Sequence, residues 1–155
     1  MEYQISKLHE CHIPFVAGVY EENRRDLHGV HIPVSEWLNC LWNDADPDEA
    51  NFIISANGEN AAWLKLNGIL SNKVYISMLV VSKKYQRIGI GSYAIRFAEL
   101  FAKENGKTAV MIQTTTDNIP AQNCYEKQGY RVEKHMKYTV GDGIERDGIL
   151  FCKGC

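Results

Sequence analysis

The sequence predicts an α/β protein built around one mixed sheet, and three features carry that expectation. Short β-rich apolar runs crowd the middle of the chain. At Gly89 the apolar spacing changes to a helical period. Strand-like and helical segments then alternate up to a closing hairpin. The order read along the chain is β-α-α-β-β-β-α-β-α-β-β.

Ile5 and Leu8 mark a short opening strand. Pro14 stands where a first-turn proline would, and Phe15, Val16, Val19, Tyr20 and Leu27 give the first helix its apolar face. A second helix is expected from Ser35, with Trp37/Leu41 and Leu38/Trp42 paired four residues apart. The acidic stretch Asn43 to Glu49 separates this helical half from a strand-rich half. Phe52-Ile53-Ile54-Ser55 and Ala62-Trp63-Leu64-Lys65-Leu66 read as strands joined by the hairpin signal Asn57-Gly58. Asn67-Gly68 and Ser71-Asn72 mark the next reversal, before Val74 to Val81. From Gly89, Ile90, Ala94, Phe97 and Phe101 recur at helical spacing, with Tyr93 and Leu100 alongside, until Asn105-Gly106 ends the helix. Ala109 to Thr114 reads as a buried strand, Pro120 to Gln128 as a short helix closed by Gly129, and Tyr130 to Val140 with Ile149 to Lys153 as the final hairpin.

No repeat or linker divides the chain, so residues 1–155 are expected to form a single domain. A domain of this length withdraws roughly two-thirds of its unfolded surface from water and needs no disulfide or metal staple. With 45% hydrophobic and 23% charged residues, and 17 basic against 19 acidic side chains, the net charge is -2. That balance argues against disorder and against a broad nucleic-acid surface, but permits a local pocket for a small anion. No apolar run approaches the ~18 residues of a membrane helix. Met1-Glu2-Tyr3-Gln4 lacks a basic region leading into an apolar core, and Cys11, Cys40, Cys124, Cys152 and Cys155 are dispersed. The expectation is a cytoplasmic protein with reduced thiols, no membrane or nucleic-acid partner, and a homodimer left open.

Chemistry concentrates in Val80 to Ser92. A strand runs into the basic turn Ser82-Lys83-Lys84-Tyr85-Gln86-Arg87, and Gly89 and Gly91 open a helix. Glycines at a helix entrance allow a tight turn with consecutive free N–H groups, which together with the helix dipole suit a pyrophosphate. Lys83, Lys84 and Arg87 are expected to add mobile positive charge. The plainer alternative is a turn that only starts a core helix.

A second segment, Asn118-Ile119-Pro120-Ala121-Gln122-Asn123-Cys124-Tyr125-Glu126-Lys127-Gln128-Gly129-Tyr130, bears on that choice. Together the two resemble the GNAT superfamily of acetyl-CoA-dependent N-acetyltransferases. Gln86-Arg87-Ile88-Gly89-Ile90-Gly91 matches its Gln/Arg-x-x-Gly-x-Gly/Ala element. Asn118, Ala121, Tyr125, Gly129 and Tyr130 match its Asn-x-x-Ala-x-x-x-Tyr-x-x-x-Gly-Phe/Tyr element. The resemblance is close over Val74 to Tyr138 and implies a mostly antiparallel central sheet flanked by helices. It further implies that backbone groups of Leu79 and Val81 pair with the pantetheine arm of acetyl-CoA, that N–H groups of Arg87, Ile88, Gly89, Ile90, Gly91 and Ser92 hold its pyrophosphate, and that the Asn118 side chain contacts pantetheine. Gln86 belongs to the same cofactor element. Tyr125 is implied to aim its hydroxyl at the coenzyme A sulfur, with packing as its alternative role, and the Val81 N–H to be an oxyanion donor.

In the implied reaction an amine attacks the acetyl thioester directly. A lysine-like amine of pKa about 10.4 must first lose a proton, costing about 4.6 kcal/mol at pH 7, from ~3.4 units at ~1.36 each. A departing thiolate of pKa ~8.5 facing a phenol of ~10 makes protonation by Tyr125 uphill by about 2 kcal/mol. Tyr125 then acts as an acid only if the site shifts one of these values; otherwise it steadies the thiolate by hydrogen bonding. Many family members carry a glutamate on or beside the fourth strand, but Val74 to Val81 contains no acid. Ser77 is the candidate to position a water, and Glu21, Glu22, Asp117 and His135 are the candidates to relay a proton, each with a surface role as its alternative. In the family the N-terminal helices and the loop between the last two strands line the acceptor site. Here these are Phe15 to Trp42 and Gly141 to Gly148, whose acids Asp142, Glu145 and Asp147, with Glu21 and Glu22, are expected to attract a cationic amine from a small molecule or peptide.

Other patterns carry less. Gly89-Ile90-Gly91-Ser92-Tyr93-Ala94 also reads as a dinucleotide fingerprint, but seven residues separate it from its strand and the next strand ends in Thr114-Thr115-Thr116, not an acid. A non-catalytic acyl-CoA-binding module and a dinucleotide-dependent oxidoreductase are the alternatives. Cys152-Lys153-Gly154-Cys155 lacks a second pair for zinc, His9-Glu10-Cys11-His12 does not supply one, and Asp44-Ala45-Asp46-Pro47-Asp48 lacks the glycine and glutamate of a calcium loop. No metal is expected, and Cys124 reads as a small packed residue.

Overall fold

The computed structural model describes all 155 residues. Its strands are β1 (Tyr3–Lys7), β2 (Glu49–Ala56), β3 (Glu59–Asn67), β4 (Lys73–Val81), β5 (Ala109–Thr115), β6 (Arg131–Thr139) and β7 (Glu145–Gly154). Its helices are α1 (Ile13–Asn23), α2 (Val34–Leu38), α3 (Ile90–Glu104) and α4 (Ile119–Lys127). All seven strands form one sheet in the order β1-β2-β3-β4-β5-β7-β6. Every neighbouring pair is antiparallel except β4 and β5.

Helices on both faces explain why the central strands read as continuous apolar runs. One core joins Ile54, Leu64, Val74 and Ile76 to Ile90, Ala94 and Ala98 of α3, with Tyr125 of α4 packed against it. The other joins Ile53, Trp63 and Val80 to Val16 and Val19 of α1 and Trp37 of α2. Alanines at 94, 98 and 102 let α3 lie close on the sheet, while Phe97 and Phe101 meet Phe52 edge-on at 4.9 and 5.8 Å. Leu100, expected on that apolar face, is 54% exposed instead. The hairpin at Asn57-Gly58 forms as expected, with φ of 50° and 81°, a pair that Asn-Gly adopts readily.

Two boundaries differ from the sequence reading. α2 spans only five residues, because the chain widens into a π-turn over Asn39–Asn43 that keeps Trp37 and Leu41 inside and leaves Trp42 40% exposed. β7 begins at Glu145, so much of the expected Gly141–Gly148 loop is strand, paired as Glu145↔Thr139 and Gly148↔Met136.

A bulge in β4 positions the site. Lys65 faces Met78 but Leu66 faces Ile76, so Ser77 is the extra residue. A bulge reverses which face the following side chains take and increases local twist. Val74 and Ile76 point to the α3 core before it; Leu79 and Val81 do so after it, while Met78 and Val80 join the α1 core. The parallel pairing with β5 covers only Lys73–Ile76 against Ala109–Ile112 and stops at the bulge. Beyond it, β5 stays with β7 up to Thr115↔Gly148, and β4 stays with β3 up to Val81↔Ala62. The two strands therefore splay apart in the middle of the sheet.

Candidate functional site

Two cavities use the splayed ends as walls. On the α3 face, about 350 Å³ is enclosed by Leu79, Val81, Tyr85, Gln86, Arg87, Gly89, Ile90, Gly91, Ser92, Ile95, Ala121, Cys124 and Tyr125. On the other face, about 500 Å³ lies between Ser77 and Met78 of β4, Gln113 to Thr115 of β5, Tyr20, Asn118, Tyr138 and the loop after α1. A larger hollow of about 550 Å³ at the other end of α3, near Phe101 and Trp42, has none of the motif residues.

The glycine loop is tightly wound. Arg87 and Gly89 take φ of 64° and 96°, and Gly89 is the N-terminal cap of α3. Glycine accepts that backbone without strain; arginine does so at a cost. No atom lies within 4 Å of where a Cβ on Gly91 would sit, and its φ is not positive. Packing within the protein therefore does not demand glycine there, whereas a ligand approaching the start of the helix would. The Ile88 carbonyl accepts a hydrogen bond from the Tyr3 hydroxyl, and the Tyr3 ring lies 5.3 Å from that of Tyr93. Ile88 itself does not line the cavity.

The end of β4 is held from the same side. Ser82 N–H donates to Ala61 O, so by the alternation of an antiparallel ladder the polar groups of Leu79 and Val81 face the splayed gap. Val81 O accepts from Asn23 Nδ2 at 3.1 Å and from Gln86 Nε2 at 3.1 Å, and Gln86 Nε2 also donates to Asn23 Oδ1 at 3.0 Å. Asn23 is the buried polar residue of the chain and also donates to Val19 O. Its one signal in the sequence is a polar residue on the stripe Val16, Val19, Tyr20, Asn23.

The expected basic cluster is smaller than the sequence suggested. Arg87 lines the cavity without an ion pair, but Lys84 Nζ is engaged by Glu59 at 3.1 Å, which also accepts from the Tyr85 hydroxyl. Lys83 does not line the cavity; its backbone N–H donates to Glu22 Oε1 at 2.6 Å, and its ammonium has no ion pair.

Tyr125 sits half-buried in the first cavity, its ring edge-on to Phe151 at 5.6 Å and 6.4 Å from Tyr130. Burial, reinforced by neighbouring Cys124, pushes its hydroxyl up to about 12, and that hydroxyl has no hydrogen-bond partner in the protein. Tyr130 anchors the end of α4. It is 2% exposed, and its hydroxyl donates to Glu99 of α3 at 2.9 Å, the same carboxylate that Lys153 meets at 3.1 Å. Asn118 caps α4 by accepting from Ala121 N–H at 3.2 Å and lines the second cavity, not the first.

None of the proton-relay candidates stands free in the gap. Glu21 is taken by Arg24 and His31, and Glu22 by Lys83 N–H. The Ser77 hydroxyl is turned toward Lys65 O and the Asn67 side chain. Asp117 and His135 line neither cavity. Two of the three loop acids are also occupied: Asp142 receives two hydrogen bonds from Arg146, at 2.9 and 2.6 Å, and Glu145 lies 3.8 Å from Lys137, while the Asp147 carboxylate has no partner and lines neither cavity. No cluster of three or more His, Cys, Asp or Glu residues could hold a metal, and no helix is long and apolar enough to cross a membrane.

Residues 16–130, well over half of the chain, match the family model described as Acetyltransferase (GNAT) family. The chain belongs to that family. Among curated relatives of this GNAT chain, streptothricin acetyltransferase of Escherichia coli is 28% identical over 88 residues, covering 57% of this chain and 51% of the relative. The chain thus spans about half the length of that protein. Among solved structures, the ribosomal-protein-S18-alanine N-acetyltransferase of Escherichia coli superposes with a TM-score of 0.77 at 19% identity, covering 99% of this chain and 94% of that one. The yncA protein of Salmonella typhimurium, solved with its cofactor acetyl-CoA, gives 0.77 at 15% identity over 98% and 93%. These likenesses establish the GNAT fold, and family membership sets the dinucleotide reading aside.

Proposed function

We propose that this GNAT chain transfers an acetyl group from acetyl-CoA to a primary amine that attacks the thioester directly. The observation that carries the reading is the splay of β4 from β5, with a glycine-lined cavity on one face and, on the other, a cavity whose one charged lining residue is Asp26. The chain's residues fit the cofactor. The free edge at Leu79 and Val81 suits an amide-bearing arm. N–H groups of the Arg87 to Ser92 turn, with the Arg87 side chain and the start of α3, suit a pyrophosphate. Open space beside Gly91 leaves room for it. In this reading the Gln86 side chain orients Val81, and Asn118 reaches the cofactor or acceptor only through the side-chain nitrogen that capping leaves unused.

Acetyl-CoA supplies the activated acyl group; the protein supplies placement and charge stabilisation. The Val81 N–H, its carbonyl fixed by Asn23 and Gln86, is a pre-set donor for the charge that grows on the thioester oxygen. Tyr125 donates a hydrogen bond to the departing sulfur and keeps its proton, so the sulfur leaves as a thiolate and the proton shed by the attacking nitrogen passes to it or to solvent. A phenol raised to about 12 lies ~3.5 units above a thiol of ~8.5, so full transfer is uphill by about 5 kcal/mol. The test is thiol release from acetyl-CoA across a panel of amines. Acceptor-dependent release supports the reading, whereas saturable acetyl-CoA binding with no acceptor-dependent thiol identifies a binding module.

A further inference from the structure

The geometry points to an acceptor whose amine is an α-amine beside an uncharged amide, as in an amino-acid amide or a peptide N-terminus, and not a free amino acid, a lysine-type amine or a polyamine. This inference rests on the acetyltransferase reading and deepens it.

The first observation is the charge of the second cavity. Of its nineteen lining residues only Asp26 carries a full charge, and no lysine or arginine is among them. Arg146 lies close enough to influence Tyr138, but its charge is matched by two hydrogen bonds to Asp142. A carboxylate next to the substrate amine would enter with no cation to receive it, and a second ammonium would compete for the single acid. The polar groups that remain are neutral: Gln113, Thr115 and the unused side-chain nitrogen of Asn118. Aromatic walls from Tyr20, Tyr75 and Tyr138 complete the cavity. Tyr138 is pressed so close to Gly148 that a Cβ there would sit 2.5 Å from its ring. A neutral amide suits this lining better than any ion.

The second observation concerns the proton. The titratable groups facing the cavity are Tyr20 on α1, Asp26 and His28 on the loop after it, Tyr75 on β4 and Tyr138 on β6. Tyr20 and Tyr138 are raised, chiefly by burial, so they stay protonated. Asp26 and His28 are exposed on the roof loop, while the unpaired parts of β4 and β5 offer the cavity only Ser77, Met78, Gln113, Thr114 and Thr115. With no carboxylate or imidazole on the strands that flank the gap, and with Asp26 and His28 reaching the cavity only from the exposed loop after α1, the reactive species in this proposal is the amine already deprotonated in solution. At pH 7 that fraction is about 300-fold larger for an α-amine of pKa ~7.8 than for a lysine-type amine of ~10.4.

The experiment uses the full chain at saturating acetyl-CoA, with thiol release measured at pH 7 and pH 9. Acceptors are L-alaninamide, the tripeptide amide Ala-Gly-Gly-NH₂, L-alanine, Nα-acetyl-L-lysinamide and spermidine. The inference expects at least one of the first two to exceed the lysinamide by about 100-fold or more in kcat/KM at pH 7, the gap shrinking more than tenfold at pH 9. L-Alanine is expected at under about a tenth of L-alaninamide once both are corrected to free base, and Gln113→Arg is expected to close that difference. The ratio of tripeptide to alaninamide separates a peptide source from a small one. A lysinamide or spermidine rate equal to the α-amides at pH 7, or equal use of alanine and alaninamide, overturns the inference. Thiol release with none of these acceptors overturns it too, although acetyl-CoA binding measured by calorimetry would still hold. Absence of that binding overturns the parent reading as well.

Discussion

Replacing Tyr125 by phenylalanine removes one oxygen and little else. The ring contacts with Phe151 and Tyr130 remain, and the hydroxyl has no protein partner to leave stranded. Stability should therefore change by less than about 0.5 kcal/mol, or about 2 °C in Tm for a chain of this size. The ground-state thioester sulfur is a poor acceptor, so the acetyl-CoA Kd should stay within about threefold. A developing thiolate is different: a hydrogen bond to a charged group contributes about 1.5–3 kcal/mol, so turnover should fall by about 10- to 150-fold. The pH profile supplies a second readout. A tyrosine raised to about 12 stays protonated through pH 11, so neither enzyme should show a descending limb between pH 8 and 10 from this group. Steady-state kinetics with calorimetric binding decide the matter. Equal turnover in both proteins, or a limb near pH 9–10 that disappears in the variant, would refute the hydrogen-bonding role.

Asn23→Leu leaves Val81 O and the Gln86 amide each short of a partner, and should cost roughly 1–3 kcal/mol in denaturant melts with a raised KM for acetyl-CoA. Tyr3→Phe frees the Ile88 carbonyl; calorimetry should show acetyl-CoA binding weakened by about 1 kcal/mol, with turnover at saturation unchanged. Gly148→Ala drives a Cβ to 2.5 Å from the Tyr138 ring, so it should cost about 1–3 kcal/mol of stability and raise the acceptor KM while leaving acetyl-CoA binding intact. The Asp142 carboxyl is held well below the usual carboxylate range, first by its hydrogen bonds from Arg146 and then by Ile144 N–H. A depressed carboxyl stabilises above its unfolded pKa of ~3.9 and loses that contribution as pH falls through the folded value. Hydrogen-exchange protection factors in residues 140–144, taken relative to the intrinsic rate at each pH, should thus be steady from pH 5 to 8 and fall only below about pH 4, whereas Asp142→Asn should lower them at neutral pH.

Much of the chain is legible in the sequence alone, because the information is local. Asn57-Gly58 adopts the turn its composition requires, and Gly89 begins α3 where the apolar period changes. The two motifs named the glycine loop and Tyr125, and family membership followed from them. What the sequence could not reveal depends on residues distant in the chain. The Ser77 bulge is defined by β3, not by β4, and it decides both the facing of Leu79 and Val81 and the splay from β5. Lys84 and Glu59 are 25 residues apart, so the expected basic cluster lost a member to a partner in another hairpin. Asp142 and Arg146 were both visible, yet only the turn into β7 aims one at the other, so the loop loses one of its three expected free acids. Periodicity and motif spacing thus determined the elements, their order and the place of the glycine loop at the start of α3. Tertiary packing decided which charges survive unpaired and left a cavity with Asp26 as its one charged residue, because a charge's effect is set by its neighbours in space and not by its place in the chain.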